Sequence, residues 1–322
     1  MAMLESRIVG RSWRAVLTIL GSVLALACGA AATESPGGLT SPVLVRQQLD
    51  VVYAALDPAQ KLDLYLPSTG AGPFPLVIWI HGGGWFQGDK VLDTLSVQLL
   101  TTRGFALASL NYRLSGVARY PAAVQDVKAA IRHLRANAAR YALLPDRVAL
   151  WGSSAGAHLA ALVGVTGDIA MFDDPALGNS AQSARVQAVV SWFAPTEILT
   201  MDTDNAAQGC PLFGGTGHDS PTSPEGLFLG ARPSSVPIVA RDASPVTWLT
   251  VDDPPFLLQH GGRDCMVPTR QSVRLRDGLR ALTSDTTRSS WTLFPQDGHG
   301  GPSFTTPANV ELVIAFLARY LR

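Results

Sequence analysis

Ser154 stands at the centre of Gly152-Ser153-Ser154-Ala155-Gly156, between an apolar run, Val148 to Trp151, and an Ala/Leu-rich segment. That order reads as a strand, an abrupt turn and a helix. In a G-x-S-x-G turn the outer residues must be very small, because a side chain there strikes the neighbouring strand or helix. Such a turn lifts the central hydroxyl above the sheet edge and points the first helical amides at any anion forming there. Ser153 lies one place off the pattern. A serine hydroxyl is a poor nucleophile at neutral pH, so it needs a base, and the base needs a group to orient it.

The search for those partners narrows quickly. Of the six histidines, His299 alone lies on a glycine-flanked loop after the last apolar strand, in Asp297-Gly298-His299-Gly300. His81 belongs to a glycine loop, His133 and His158 fall within helices, His260 ends a strand, and His218 sits in a Gly/Pro/Ser-rich stretch where it could meet substrate. For the acid, Asp264 directly follows the strand Pro255 to Gln259, with Glu197 as the main rival. Asp252 and Asp253 precede that strand, and Asp297 is too near His299 in sequence, so a turn-forming role fits it better. A second glycine motif, His81-Gly82-Gly83-Gly84-Trp85, follows the β-branched run Leu76 to Ile80. Three successive glycines cost conformational entropy and suit a backbone that must approach something closely, such as an oxyanion. Trp85 is a candidate for the wall of an acyl or aromatic pocket.

The elements that must position these residues alternate in type. Strands that are apolar throughout (Leu76 to Ile80, Phe105 to Tyr112, Val186 to Phe193) predict a mainly parallel sheet with both faces covered by helices. Val43 to Val52 and Leu62 to Leu66 alternate apolar and polar residues, as antiparallel edge strands do. A helix is expected over Asp126 to Tyr141 with Arg132, Arg135 and Arg140 facing out, and others over Arg270 to Leu282 and Val310 to Leu321. Ligands bind such sheets at the carboxyl ends of the strands, where both glycine motifs sit. The stretch 202–246 loses periodicity and predicts an irregular cap over the site.

Composition bounds the rest. Lys plus Arg and Asp plus Glu are 25 each, so no footprint for nucleic acid or an anionic surface appears. The cysteines lack zinc spacing and no P-loop, EF-hand or G-x-G-x-x-G motif is present, so neither metal nor cofactor is expected. Arg7, Arg11 and Arg14 precede an apolar run, Ala15 to Ala27, of signal-peptide length, ending in Ala25-Leu26-Ala27. Residues 1–27 therefore read as an export signal, 28–42 as a linker and 43–322 as the catalytic domain, secreted or periplasmic. Leu24 to Cys28 loosely resembles a lipobox, which makes a lipid-anchored form through Cys28 the alternative and that lipid the only membrane contact expected. In an oxidising compartment Cys210 and Cys265 remain as an even pair and are expected to form a disulfide, worth about 4 kcal/mol in the chain-entropy treatment.

From about Val43 onward the chain resembles the bacterial α/β-hydrolase esterases related to the hormone-sensitive-lipase group, and most closely their feruloyl/acetyl-esterase (BD-FAE-like) branch. The residues that carry this are HGGGW from His81, NYRL from Asn111, PAAVQDVKAAIRHLRANA from Pro121, GSSAGAHLAAL from Gly152, DDPPFLLQHGGRD from Asp252 and DGHG from Asp297. One difference is Ala157, where the family often has glycine. The resemblance implies an α/β-hydrolase fold with Ser154 as nucleophile, Asp264 as acid and His299 as base, and an oxyanion hole from the amides of Ala155, Gly83 and Gly84. It further implies hydrolysis of small carboxylic esters (acetyl, short-chain or feruloyl), some of them on plant polysaccharides. Two other readings compete: a serine peptidase of the prolyl-oligopeptidase type, for whose propeller the chain has no room, and a binding protein on a hydrolase scaffold, against which the intact motifs argue.

Overall fold

The computed structural model describes residues 45–322. The expected signal, the linker and Cys28 lie outside the described residues. Eight strands form one sheet: β1 (Arg46–Val52), β2 (Lys61–Leu66), β3 (Phe74–Ile80), β4 (Ala106–Leu110), β5 (Leu143–Ser153), β6 (Ala188–Trp192), β7 (Phe256–Gly261) and β8 (Ser289–Phe294). Their order is β1-β2-β4-β3-β5-β6-β7-β8. β1 and β2 pair antiparallel, as do β2 and β4, and every pairing from β4 to β8 is parallel.

Side-chain alternation along the parallel strands feeds two cores. Leu76, Ile78 and Ile80 of β3, with Val148 and Leu150 of β5, face one side. They pack there against α2 (Ala122–Ala136), α4 (Ala155–Val165) and α8 (Arg270–Leu282). Val77, Ala149, Val190 and Leu257 face the other side, against α1 (Thr94–Thr101) and α9 (Pro307–Leu321). Burial on both faces explains why these strands are continuously apolar, and places helices on both sides of a parallel sheet, as right-handed crossovers require.

Three expectations are corrected. β2 is not a half-exposed edge: Asp63 and Tyr65 are buried too, and Asp63 accepts from Lys90 Nζ at 2.9 Å. Only β1 lies at that edge. The helix expected over 126–141 starts earlier and breaks at Asn137, leaving the short α3 (Ala138–Tyr141). Arg132 and Arg135 are buried rather than facing out, because each finds acceptors inside: Arg132 pairs with Asp173, and Arg135 donates to the carbonyls of Pro145, Ser183 and Arg185. Their long stems cover apolar surface while the Arg135 guanidinium satisfies loop carbonyls and that of Arg132 pairs with a carboxylate, its Nε and Nη2 finding no partner among the described residues. Finally, the stretch between β6 and β7 is not irregular. It holds α5 (Met201–Gln208), α6 (Pro224–Leu229) and α7 (Pro237–Asp242), joined by 3-10 turns. α6 starts on a Ser223 cap with Pro224 at its first position and ends at Gly230 in the left-handed region.

Candidate active site

The parallel strands bring the carboxyl ends of β5, β7 and β8 to one rim, and the residues expected to do chemistry follow them directly. Ser154 closes β5 with φ 53° and ψ −124°, a strained conformation that only a well-packed turn maintains. Its amide donates to the Trp192 carbonyl, and its own carbonyl accepts from His158. Two residues on, a Cβ placed on Gly156 would lie 2.1 Å from the carbonyl oxygen of Ile80 and 2.5 Å from that of His81. Helix α4 thus rests backbone to backbone on the end of β3. Gly156→Ala is expected to cost about 2–3 kcal/mol of stability, read as a lower urea midpoint, because backbone rather than a flexible side chain must give way.

His299 Nε2 lies 2.9 Å from Ser154 Oγ, and His299 Nδ1 lies 2.8 Å from Asp264 Oδ2. The two loops meet because Gly261 carries no side chain: a Cβ there would lie 2.1 Å from the Gly298 carbonyl oxygen. Asp264 is fully buried and surrounded by donors. Its Oδ1 accepts from the amides of Met266 and Val267, and its Oδ2 also lies 3.2 Å from His260 Nε2. Burial alone would raise its pKa, but the imidazoles of His299 and His260 outweigh that and hold the carboxyl well below the usual carboxylate range. An ionised carboxylate here fixes the His299 tautomer, with the proton on Nδ1 and a lone pair on Nε2 facing Ser154.

On the other side of Ser154, Gly82 packs so closely that an added Cβ would lie 3.4 Å from the serine Cβ. The amides of Gly83, Gly84 and Ala155 find no acceptor among the described residues. Ala155 opens α4, whose first amides carry the positive end of the helix dipole.

Trp85, expected against substrate, is instead only 2% exposed. Its positive φ turns the indole beneath the glycine loop, where it stacks on Phe228 and donates to His158 Nδ1 at 3.1 Å. Trp85 is therefore an anchor of the loop. His218 is buried as well, stacked on Phe213 with Nδ1 3.1 Å from Glu225 Oε1, and it holds segments between β6 and β7 together rather than lining an open cleft. The rival acid Glu197 pairs with Arg274 at 2.7 Å, and Asp297 accepts from the Ser303 amide as a turn residue does. Cys210 and Cys265 are bonded, with Cα atoms 5.4 Å apart.

Other residues here had no motif to mark them. His260, buried at the end of β7, contacts Ser272 Oγ at 2.7 Å and donates to the Val267 carbonyl at 2.9 Å, beside Asp264. Phe193 packs edge-on against His299 with ring centroids 4.6 Å apart. Their signal was position alone, since both lie at strand ends next to the reactive rim. His158 links the glycine loop to the end of α7: Nδ1 accepts from Trp85, and Nε2 donates to the Ala243 carbonyl at 2.7 Å. Burial lowers its pKa from 6.5 to about 4, with the Ala243 bond offsetting part of that. The unfolded chain therefore takes up this proton as pH falls through 6.5 while the folded protein does not until about 4. Its contribution to stability is full above the first value and lost on descent to the second, on the order of 3 kcal/mol. Urea midpoints measured from pH 7.5 down to 4.5 check this, and His158→Gln flattens that part of the slope.

A mainly parallel eight-stranded sheet, with a serine on a strained turn hydrogen-bonded through histidine to a buried aspartate, defines an α/β-hydrolase. Within that class the chain belongs to the BD-FAE family, whose sequence profile matches residues 62–279. It is 30% identical over 249 residues to esterase LipC of Mycobacterium tuberculosis, covering 76% of this chain and 57% of LipC. Probable carboxylic ester hydrolase LipM of the same organism is 28% identical over 263 residues, covering 79% and 57%. The chain thus spans a little over half the length of these curated relatives. Among solved structures, a truncated carbohydrate esterase from gut microbiota superposes with a TM-score of 0.74 at 28% identity, covering 87% of this chain and 98% of that one. A bifunctional GH43-CE protein of Bacteroides eggerthii gives 0.73 at 30% identity, covering 86% and 38%.

Proposed function

We propose that this protein is a serine carboxylesterase in which Ser154, His299 and Asp264 act as a triad. The observation that carries the reading is the unbroken chain of hydrogen bonds from Ser154 Oγ to the buried Asp264 carboxylate, beside amides with no protein acceptor. His299 Nε2 takes the Ser154 proton as Oγ attacks the ester carbonyl. The oxyanion is received by the amides of Ala155, Gly83 and Gly84, and the loss of one such donor typically costs about 10²-fold to 10³-fold in rate. His299 then gives the proton to the departing alcohol oxygen, leaving the acyl group on Ser154. Water, deprotonated by the same imidazole, attacks that acyl-enzyme and releases the carboxylic acid with the serine restored.

The substrates proposed are esters of small acyl groups, acetyl or feruloyl, carried on carbohydrate. The kinship with a carbohydrate esterase and a GH43-CE protein supports this choice. Hydrolysis of p-nitrophenyl acetate, p-nitrophenyl octanoate, methyl ferulate and acetylated xylo-oligosaccharides tests it. The acetyl esters are expected to exceed the octanoate in kcat/KM by at least about tenfold. The reverse order rejects the small-acyl assignment and leaves the triad in place. Export belongs to the same reading, and the Cys210–Cys265 bond supports an oxidising compartment. No helix among the described residues is long and apolar enough to cross a membrane. Mass spectrometry of the mature N-terminus separates cleavage after Ala27 from lipidation at Cys28.

A further inference from the structure

The end of α5 makes contacts for which the mechanism above has no use. Gln208, its last residue, donates from Nε2 to the carbonyl oxygen of Asp264 at 2.6 Å and accepts at Oε1 from the amide of Thr269 at 2.9 Å. Two residues later Cys210 is bonded to Cys265. One short stretch of the cap therefore grips the loop 264–269 at its first, second and last residues. Within that loop the Asp264 carboxylate is fixed to the backbone by the amides of Met266 and Val267. Wherever this backbone moves, Oδ2 moves with it, and so does the 2.8 Å bond to His299.

The grip has something firm behind it. Asp204, one turn before Gln208 on α5, accepts from Gln271 Nε2 at 2.8 Å and from Arg274 Nη1 at 2.7 Å, both on α8. Helix α8 in turn packs on the core face of the sheet through Leu275 and Leu279. A chain of contacts thus runs from the sheet-bound α8 through α5 to the acid loop.

We propose that Gln208, together with the Cys210–Cys265 bridge, is a positioning device for Asp264: the cap holds the acid in register with His299. The proposal rests on the Ser154–His299–Asp264 reading. The Gln208 side chain bonds to the loop 264–269 and not to Ser154 or His299, so it acts through the aspartate. A displacement of about 1 Å in such a group can cost about 10²-fold in rate, whereas substrate affinity has no reason to change.

The test measures kcat and KM on p-nitrophenyl acetate for the oxidised protein, Ser154→Ala, Gln208→Ala, Cys210→Ser combined with Cys265→Ser, and Gln208→Ala in an Asp264→Asn background. Thermal midpoints establish that each variant is folded. Gln208→Ala and the cysteine pair are expected to lower kcat about tenfold to a hundredfold with KM within about twofold. In the Asp264→Asn background Gln208→Ala is expected to have no further effect, because the group it positions is already disabled. Gln208→Ala keeps the disulfide, so it decides the matter even where the cysteine variant does not fold. Unchanged kcat in folded Gln208→Ala overturns the proposal, as does an equal loss in the Asp264→Asn background. Retained activity in Ser154→Ala removes the triad reading itself, whereas an inactive Ser154→Ala beside a fully active Gln208→Ala removes only the positioning role.

Discussion

Ser154→Ala is expected to lower kcat on an activated ester by about 10⁴-fold or more while leaving the fold intact. The loss is large because, among the described residues, the Ser154 hydroxyl alone bonds His299 Nε2, at 2.9 Å. Ser153 cannot replace it. Gly82 packs against Ser153, with an added Cβ 3.3 Å from its Oγ, and among the described residues His299 bonds the Ser154 hydroxyl and not that of Ser153. The turn is maintained by backbone bonds, Ser154 to Trp192 and His158 to Ser154, which alanine keeps. Stability is therefore expected to change by less than about 1 kcal/mol. Turnover of p-nitrophenyl acetate together with a urea melt checks both halves.

Asp264→Asn is expected to cost about 10⁴-fold in kcat, for a different reason. Every neighbour of the carboxylate is a donor: the amides of Met266 and Val267, His299 and His260. An asparagine that keeps its oxygen on the two amides turns its NH₂ toward both imidazoles. His299 then presents a lone pair at Nδ1 and carries its proton on Nε2, facing Ser154, where it can no longer accept one. The NH₂ also confronts the His260 nitrogen that donates to Val267, and a buried mismatch of this kind costs about 1–3 kcal/mol. The variant should further differ in acid. With its pKa depressed by folding, Asp264 contributes stability above the ordinary aspartate value, about 3.9, and loses it as pH falls through the lower native one. Urea midpoints between pH 5 and 2 should thus fall more steeply in the parent protein than in Asp264→Asn.

The sheet and the residues at its rim were legible because each signal was local and repeated. Apolar runs such as Val148 to Trp151 and Pro255 to Gln259 read as strands whose carboxyl ends a parallel sheet must bring to one rim, so Ser154, His299 and the acid candidates Asp264 and Glu197 fall together there, and the resemblance rather than the topology singles out Asp264. The stretch 202–246 lacks a visible period because α5, α6 and α7 are too short for a 3.6-residue repeat to emerge, although Ser223-Pro224 and Gly230 mark one of them. Arg132 and Arg135 misled because charge on a helix normally marks its wet face, whereas the acceptors that bury them come from Asp173 and from residues 183 and 185, distant in sequence. Nothing local in the sequence marks Trp85 as an anchor, because its partners, His158 and Phe228, lie far along the chain. His260 and Gln208 were passed over for the same reason: a positioning contact is defined by what lies across the fold.

The proposed nucleophile is one atom, Ser154 Oγ, and a serine-directed organophosphate reports on it directly. The protein is treated with diethyl p-nitrophenyl phosphate, its residual esterase activity is followed, and peptides are mapped by mass spectrometry. One diethylphosphoryl group on Ser154, gained in proportion to the activity lost and absent from Ser154→Ala, is the expected result. Inactivation with Ser154 unmodified, or with the label on Ser153 or another residue, contradicts it.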